Sequence, residues 1–268
     1  MTYIEIVILI IAGIFVGFIN TLAGGGSIIS LSVLMFLGLP PSVANATNRI
    51  GIVVQTFTAA ASFKKQKVLD QKKALILSIP AVIGSVVGAS IAIDINDKIF
   101  ENAFAIVMIF MLFFILFKPQ KYLYGRKELI NKKISIWQII IFFFIGVYGG
   151  FIQVGIGYFL LASIVLGAGY DLVKANAIKV LIALFITVIA LIIFIINGEI
   201  RWMYGIIMAA GTMTGALIAS KLAVKKGVNF VRWVIIVLIV IFSLHFLHII
   251  NIKDLIQGNL IGNPYGQV

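Results

Sequence analysis

Along the chain, long apolar runs alternate with short polar turns. Eight runs stand out, at approximately 3–37, 42–63, 73–95, 99–117, 135–168, 172–196, 202–222 and 229–250. A bilayer core about 30 Å thick takes about 20 apolar residues per helical crossing, so each run has the length of a membrane helix. Turns such as Asp94-Ile95-Asn96-Asp97-Lys98 and Asn197-Gly198-Glu199-Ile200-Arg201 predict tight hairpins between neighbours. The pattern predicts an all-α integral membrane protein, a polytopic helix bundle in which residues 1–268 form one transmembrane domain. The first run carries Glu5 rather than a positive leader, so it reads as a retained segment.

Runs one and five are too long for straight spans, since a helix of either length would extend on the order of 50 Å. Each must break, tilt or fold back. Glycines stand where a break would fall, Gly24-Gly25-Gly26 in the first run and Gly155 with Gly157 in the fifth. A break frees backbone groups that lipid cannot satisfy, so it belongs inside protein or beside a wet cavity.

An offset of 131 positions pairs Gly24 with Gly155, Gly26 with Gly157, Gly38 with Gly169, Ala44-Asn45-Ala46 with Ala175-Asn176-Ala177, Thr56 with Thr187 and Gly84 with Gly215. This gapless register predicts a first repeat over 1–117, a basic cytoplasmic connector over 118–134, a second repeat over 135–250 and a polar tail over 251–268. Basic residues mark cytoplasmic loops. They follow run two in the first half (Lys64, Lys65, Lys67, Lys72, Lys73) but run seven in the second (Lys221, Lys225, Lys226). The swap predicts two inverted-topology repeats. Inversion needs an odd number of crossings per half, which follows if runs one and five are re-entrant hairpins or broken helices that return to their own side. Eight straight spans with parallel halves are the alternative, and would expose Lys221, Lys225 and Lys226 outside.

Composition agrees with the membrane reading: 62% of positions are hydrophobic and 11% charged, against about 25% charged in soluble domains. The net charge of +12, from 21 Lys and Arg against 9 Asp and Glu, would suggest nucleic acid in a soluble protein. Here it marks cytoplasmic loops, and no nucleic-acid partner is expected. Without cysteine there is no disulfide scaffold, thiolate metal site or cysteine nucleophile. His245 and His248 share a helical face without a nearby carboxylate and read as interfacial. A phosphate loop, an HExxH pair and a nucleophile elbow are missing from the sequence. The expectation is a non-enzyme without metal or cofactor.

The polar residues that remain at membrane depth carry the candidate chemistry. Arg49 lies about 10 Å along its helix, and Lys179 stands opposite Asn48 in the repeat register. A buried membrane charge needs a partner, and no acidic residue stands at comparable depth. Three partners fit: a mobile anion, helix-end carbonyls, or interfacial water reached by snorkelling. Helices restarting after Gly24, Gly25, Gly26 or after Gly155 and Gly157 would offer unpaired N–H groups and a positive dipole end. Ser27, Asn45, Thr47, Asn48, Gln153 and Asn176 add uncharged hydrogen-bonding groups. Four further glycine pairs, Gly13 with Gly17, Gly84 with Gly88, Gly146 with Gly150 and Gly211 with Gly215, have the spacing of close helix packing.

The stretch FINTLAGGGSIISLSVLMFLGLPPSVANATNRIG, residues 18–51, resembles the first block of the TauE/SafE family of sulfite and organosulfonate transporters. The GGGS turn, Gly38-Leu39-Pro40 and Ala46-Thr47-Asn48 carry the likeness, and YGGFIQVGIGYFLLASIVLGAGYDLVKANAIKVL is similar to the family's second half. The resemblance implies a secondary transporter that exports a small sulfur-containing oxyanion, such as sulfite or sulfoacetate, across the inner (plasma) membrane of a prokaryote. An anion channel using the same residues is the rival reading. The expected partners are a small anionic substrate and the lipid bilayer. Homo-oligomerisation and the coupling ion stay open at this point.

Overall fold

The computed structural model describes residues 1–96, 98–100, 102, 103, 106, 127–130 and 134–246, with backbone alone at 127, 228, 231, 232 and 234–246. Eight α-helices carry the described fold: α1 (Tyr3–Leu22), α2 (Ser27–Phe36), α3 (Pro41–Lys65), α4 (Gln71–Asp94), α5 (Ile136–Phe151), α6 (Ile156–Ala168), α7 (Leu172–Ile196) and α8 (Trp202–Phe246). The helix α8 joins runs seven and eight through a non-helical Gly227 (φ 74°). Most of run four and of the connector, the side chain of His245, all of His248 and the tail lie outside the described residues.

Local signals account for the helix ends. Thr2 with Glu5 and Ser135 with Gln138 form capping boxes at α1 and α5. Asp70 and Asp171 accept first-turn N–H groups at α4 and α7. Pro41 opens α3 at a position where its missing N–H costs nothing.

Runs one and five are broken, the first at residues 23–26 and the fifth at 152–155. The inner pieces α2 and α6 have 10 and 13 residues. At 1.5 Å per residue they reach about 15–20 Å, well short of a full crossing. Among the described residues four helices are long and apolar enough to span alone: Tyr3–Leu22, Gln71–Asp94, Leu172–Ile196 and Trp202–Gly227.

The single register of 131 needs a correction at the breaks. It holds for α3 and α7, whose starts and ends both differ by that offset, and for the starts of α4 and α8. It holds also for the left-handed pairs Gly38 with Gly169 and Lys67 with Gly198. At the breaks the ends of α1 and α5 differ by 129, so Gln153 (φ 65°), not Gly155, occupies the left-handed place of Gly24 (φ 107°). The difference is local: the second break has two left-handed residues, Gln153 and Gly155 (φ 69°), where the first has Gly24, and α6 is longer than α2.

The paired glycines pack backbone against backbone. A Cβ on Gly84 would lie 2.0 Å from Phe143 O and one on Gly88 1.9 Å from Val147 O, which locks α4 on α5. Cβ atoms on Gly13 and Gly17 would lie 2.6 Å from Met208 O and 2.1 Å from Thr212 O, which locks α1 on α8. In both pairs the contacts rise together in sequence, so the partners run in the same direction. The connections meet in two sets. Tyr170 donates its hydroxyl to Asp70, joining the turn before α7 to the turn before α4. Near the end of α3, Ser220 Oγ donates to Ser62 Oγ at 2.8 Å. In the other set, Arg201 N donates to Thr47 Oγ1 at 3.0 Å, joining the start of α8 to the first turns of α3.

Candidate functional site

The two breaks touch. A Cβ on Gly24 would sit 2.3 Å from the Cα of Gly157, and one on Gly157 would sit 2.4 Å from the Cα of Gly24. Around this contact lies a cavity of about 30 Å³, room for about two waters. Five residues singled out from the sequence line it: Gly24, Ser27, Gln153, Gly157 and Lys179. Asn20, Gln55 and Thr56 join them. Thr56 had a signal in its repeat pairing with Thr187, and Asn20 in being an amide within an apolar run four residues before Gly24.

Charge at the breaks is arranged reciprocally. A helix that ends inside the bilayer leaves carbonyls without partners and the negative end of its dipole. Lys179, from the second half, donates to Asn20 O and Thr21 O at the end of α1, both at 3.0 Å. Arg49, from the first half, donates to Gly149 O at 2.6 Å and Gly150 O at 2.8 Å at the end of α5. These carbonyls are equivalent under the offset of 129 that relates the two breaks. Both cations are buried, at 0% and 2% exposure, and the Arg49 guanidinium also lies 5.3 Å from the centre of the Phe194 ring. Of the three partners that would suit such cations, helix-end carbonyls are therefore present in the fold.

The starts of α2 and α6 contribute Ser27, Ile156 and Gly157 to the cavity wall. Neither helix has a side-chain cap: Gly26 precedes α2 and Gly155 precedes α6. Gly25 lies against the ring of Tyr158, and Gly26 against Val16 O and Asn20 Oδ1.

The remaining candidates stand outside the cavity lining. Asn45 Nδ2 donates to Phe151 O at 2.8 Å, beside Arg49. Thr47 accepts from Arg201 N. Asn48 and Asn176 are buried, and Asn48 Oδ1 and both amide atoms of Asn176 lack a hydrogen-bond partner among the described residues. At the outer end of α6, the Tyr170 phenol titrates above its ordinary value, through burial first and then its hydrogen bond to Asp70 and the charge there. It therefore stays a donor. Among the described residues no group of three or more His, Cys, Asp or Glu could hold a metal.

The family model described as Sulfite exporter TauE/SafE matches residues 9–246. Similar curated proteins include a probable membrane transporter protein of Haemophilus influenzae, 25% identical over 86% of this chain and 90% of its own. Another is the probable membrane transporter protein YfcA of Escherichia coli K12, 26% identical over 90% of this chain and 89% of its own. The probable membrane transporter protein ORF9 of Sinorhizobium sp is 24% identical over 85% and 87%. No solved structure matches the chain.

Proposed function

Since the chain belongs to the Sulfite exporter TauE/SafE family, we propose that it is a secondary active transporter exporting a small sulfur-containing oxyanion, such as sulfite, sulfoacetate or a related organosulfonate, across a prokaryotic inner membrane. The observation that carries the reading is the meeting of two glycine breaks at one cavity with uncapped helix N-termini in its wall. N–H groups at a helix start, held in low dielectric, favour an anion. Gly24, Gly25, Gly26, Ser27, Gly155 and Gly157 supply or shape these donors. Asn45, Thr47, Asn48, Gln153 and Asn176 orient the anion or the elements around it. Arg49 and Lys179 act by cancelling the negative helix ends beside the site, so that the local potential is positive.

Alternating access follows from two inverted halves. Supporting inversion, α3 ends where α7 begins, at Asp70 and Tyr170, and α7 ends where α3 begins, at Arg201 and Thr47. Gln138 Nε2 donates to Gly167 O at 2.8 Å, so the α5–α6 pair folds back to its own side. Run four would supply the crossing between halves. The clusters Lys64 to Lys73 and Lys221 to Lys226 then share one face, the cytoplasmic one. Loading an oxyanion into a cavity of about 30 Å³ calls for the breaks to part, a movement that suits alternating access.

The test is counterflow of labelled sulfite in proteoliposomes. Wild-type protein is expected to exchange it at carrier rates, and Lys179→Ala or Arg49→Ala to abolish nearly all exchange while still inserting. Unchanged exchange in both variants would remove the charge assignment, and single-channel currents would replace the carrier with a channel.

A further inference from the structure

Two residues of the cavity wall, Gln153 and Asn20, each leave a buried amide oxygen without a partner among the described residues. Gln153 lines it at 1% exposure, and its Nε2 donates to Thr187 Oγ1. The one hydrogen of Thr187 goes to Ala183 O at 2.6 Å. Thr187 can therefore only accept from Gln153, which fixes the amide's orientation. The opposite end, Oε1, is buried and has no hydrogen-bond partner among the described residues. Asn20 repeats the arrangement across the cavity: Nδ2 donates towards Ser27 Oγ at 3.4 Å and Gln55 Oε1 at 3.5 Å, while Oδ1 is buried without a partner among the described residues.

A buried amide oxygen without a donor is costly, and an anion with no hydrogen of its own makes it worse, because its oxygens repel the acceptor. An anion that brings a donor relieves the cost. From this pairing we infer that the site selects a small monoanion carrying its own O–H or N–H group. Its anionic oxygens face the starts of α2 and α6, and its donor faces Gln153 Oε1. Hydrogen sulfite meets the requirement, whereas the doubly ionised sulfite and ionised sulfoacetate do not, so the inference narrows the substrates named above. The inference rests on the anion-site reading above and adds the protonation and donor pattern of the ligand. It also gives Gln153 its reason for occupying a left-handed position (φ 65°) where glycine would be less strained.

Sulfamate and methanesulfonate test it, being monoanions of one shape that differ in an NH₂ against a CH₃. Each is added as a competitor of labelled-sulfite counterflow in proteoliposomes at one fixed pH. Sulfamate is expected to compete at a concentration about tenfold or more below methanesulfonate, since leaving a buried acceptor unpaired penalises the analogue without a donor. In Gln153→Met, which keeps the length of the side chain without the acceptor, the ratio is expected to shrink to about twofold. Equal competition by the two anions in wild-type protein overturns the donor requirement, a full ratio surviving in Gln153→Met overturns the assignment of the acceptor to Gln153, and either leaves the transporter reading in place. If labelled sulfite does not exchange and neither anion shifts the thermal stability of the purified protein, the anion-site reading falls and this inference with it. The wild-type ratio decides the matter even if Gln153→Met does not fold.

Discussion

Arg49 and Lys179 perform the same task with different chemistry. Arg49 divides two nitrogens among the carbonyls at the end of α5, whereas the single Nζ of Lys179 bridges two at the end of α1. Removing either leaves buried acceptors unpaired, at about 1–3 kcal/mol for each unsatisfied group. Arg49→Ala is therefore expected to lower unfolding stability in detergent by about 2 kcal/mol or more, read by chaotrope titration. Arg49→Lys should recover part of that, because a lysine already serves the equivalent carbonyls. Recovery to the full wild-type value would mean that the second guanidinium nitrogen adds nothing. The depth of both cations was legible in the sequence, as was the want of an acid to pair with them. Helix-end carbonyls were among the partners that fit, but which ones, and that they belong to the opposite half, was not legible, because a backbone carbonyl leaves no trace in residue identity.

At the scale of the element, two glycines of positive φ separate conformational cost from steric cost. A Cβ on Gly38 (φ 88°) would have nothing within 4 Å, while one on Gly24 (φ 107°) would lie 2.3 Å from Gly157. Gly38→Ala is expected to cost about 1–2 kcal/mol, the penalty of a left-handed residue, with counterflow retained. Gly24→Ala should force the breaks apart and abolish counterflow. Similar losses in both would mean that the contact between breaks is not essential. The helix α4 allows a parallel test: Gly88→Ala drives a methyl to 1.9 Å from Val147 O. Separating α4 from α5 to accommodate it should cost about 1–3 kcal/mol, measured by thermal unfolding. The spacing of Gly84, Gly88, Gly146 and Gly150 made this packing legible. The shifted register at the second break was hidden, because beside the left-handed Gly155 the place of Gly24 is taken by Gln153, a type that local rules put in helices rather than in left-handed turns.

For the whole molecule, the chain offers an unusually clean topology experiment because it contains no cysteine. Single substitutions Lys67→Cys and Lys225→Cys are expected to react with an impermeant maleimide from the cytoplasmic side, and Glu5→Cys and Glu199→Cys from the outside. Labelling of Lys67→Cys and Lys225→Cys from opposite sides would exclude the inverted arrangement. The basic loops are what the expected orientation rests on, and this labelling tests it. How the halves touch depends on helix pairs such as α1 with α8 and α4 with α5, which join residues of opposite halves.

The crossing-over of the two cations has a bearing on biosynthesis. When the ribosome has made only the amino-terminal half, the last carbonyls of α1 still await Lys179, and Arg49 awaits the carbonyls of Gly149 and Gly150 at the end of α5. A truncated message ending before the second half should therefore yield a protease-sensitive product. Co-production of the two fragments should restore resistance to both at once, since neither is finished without the other.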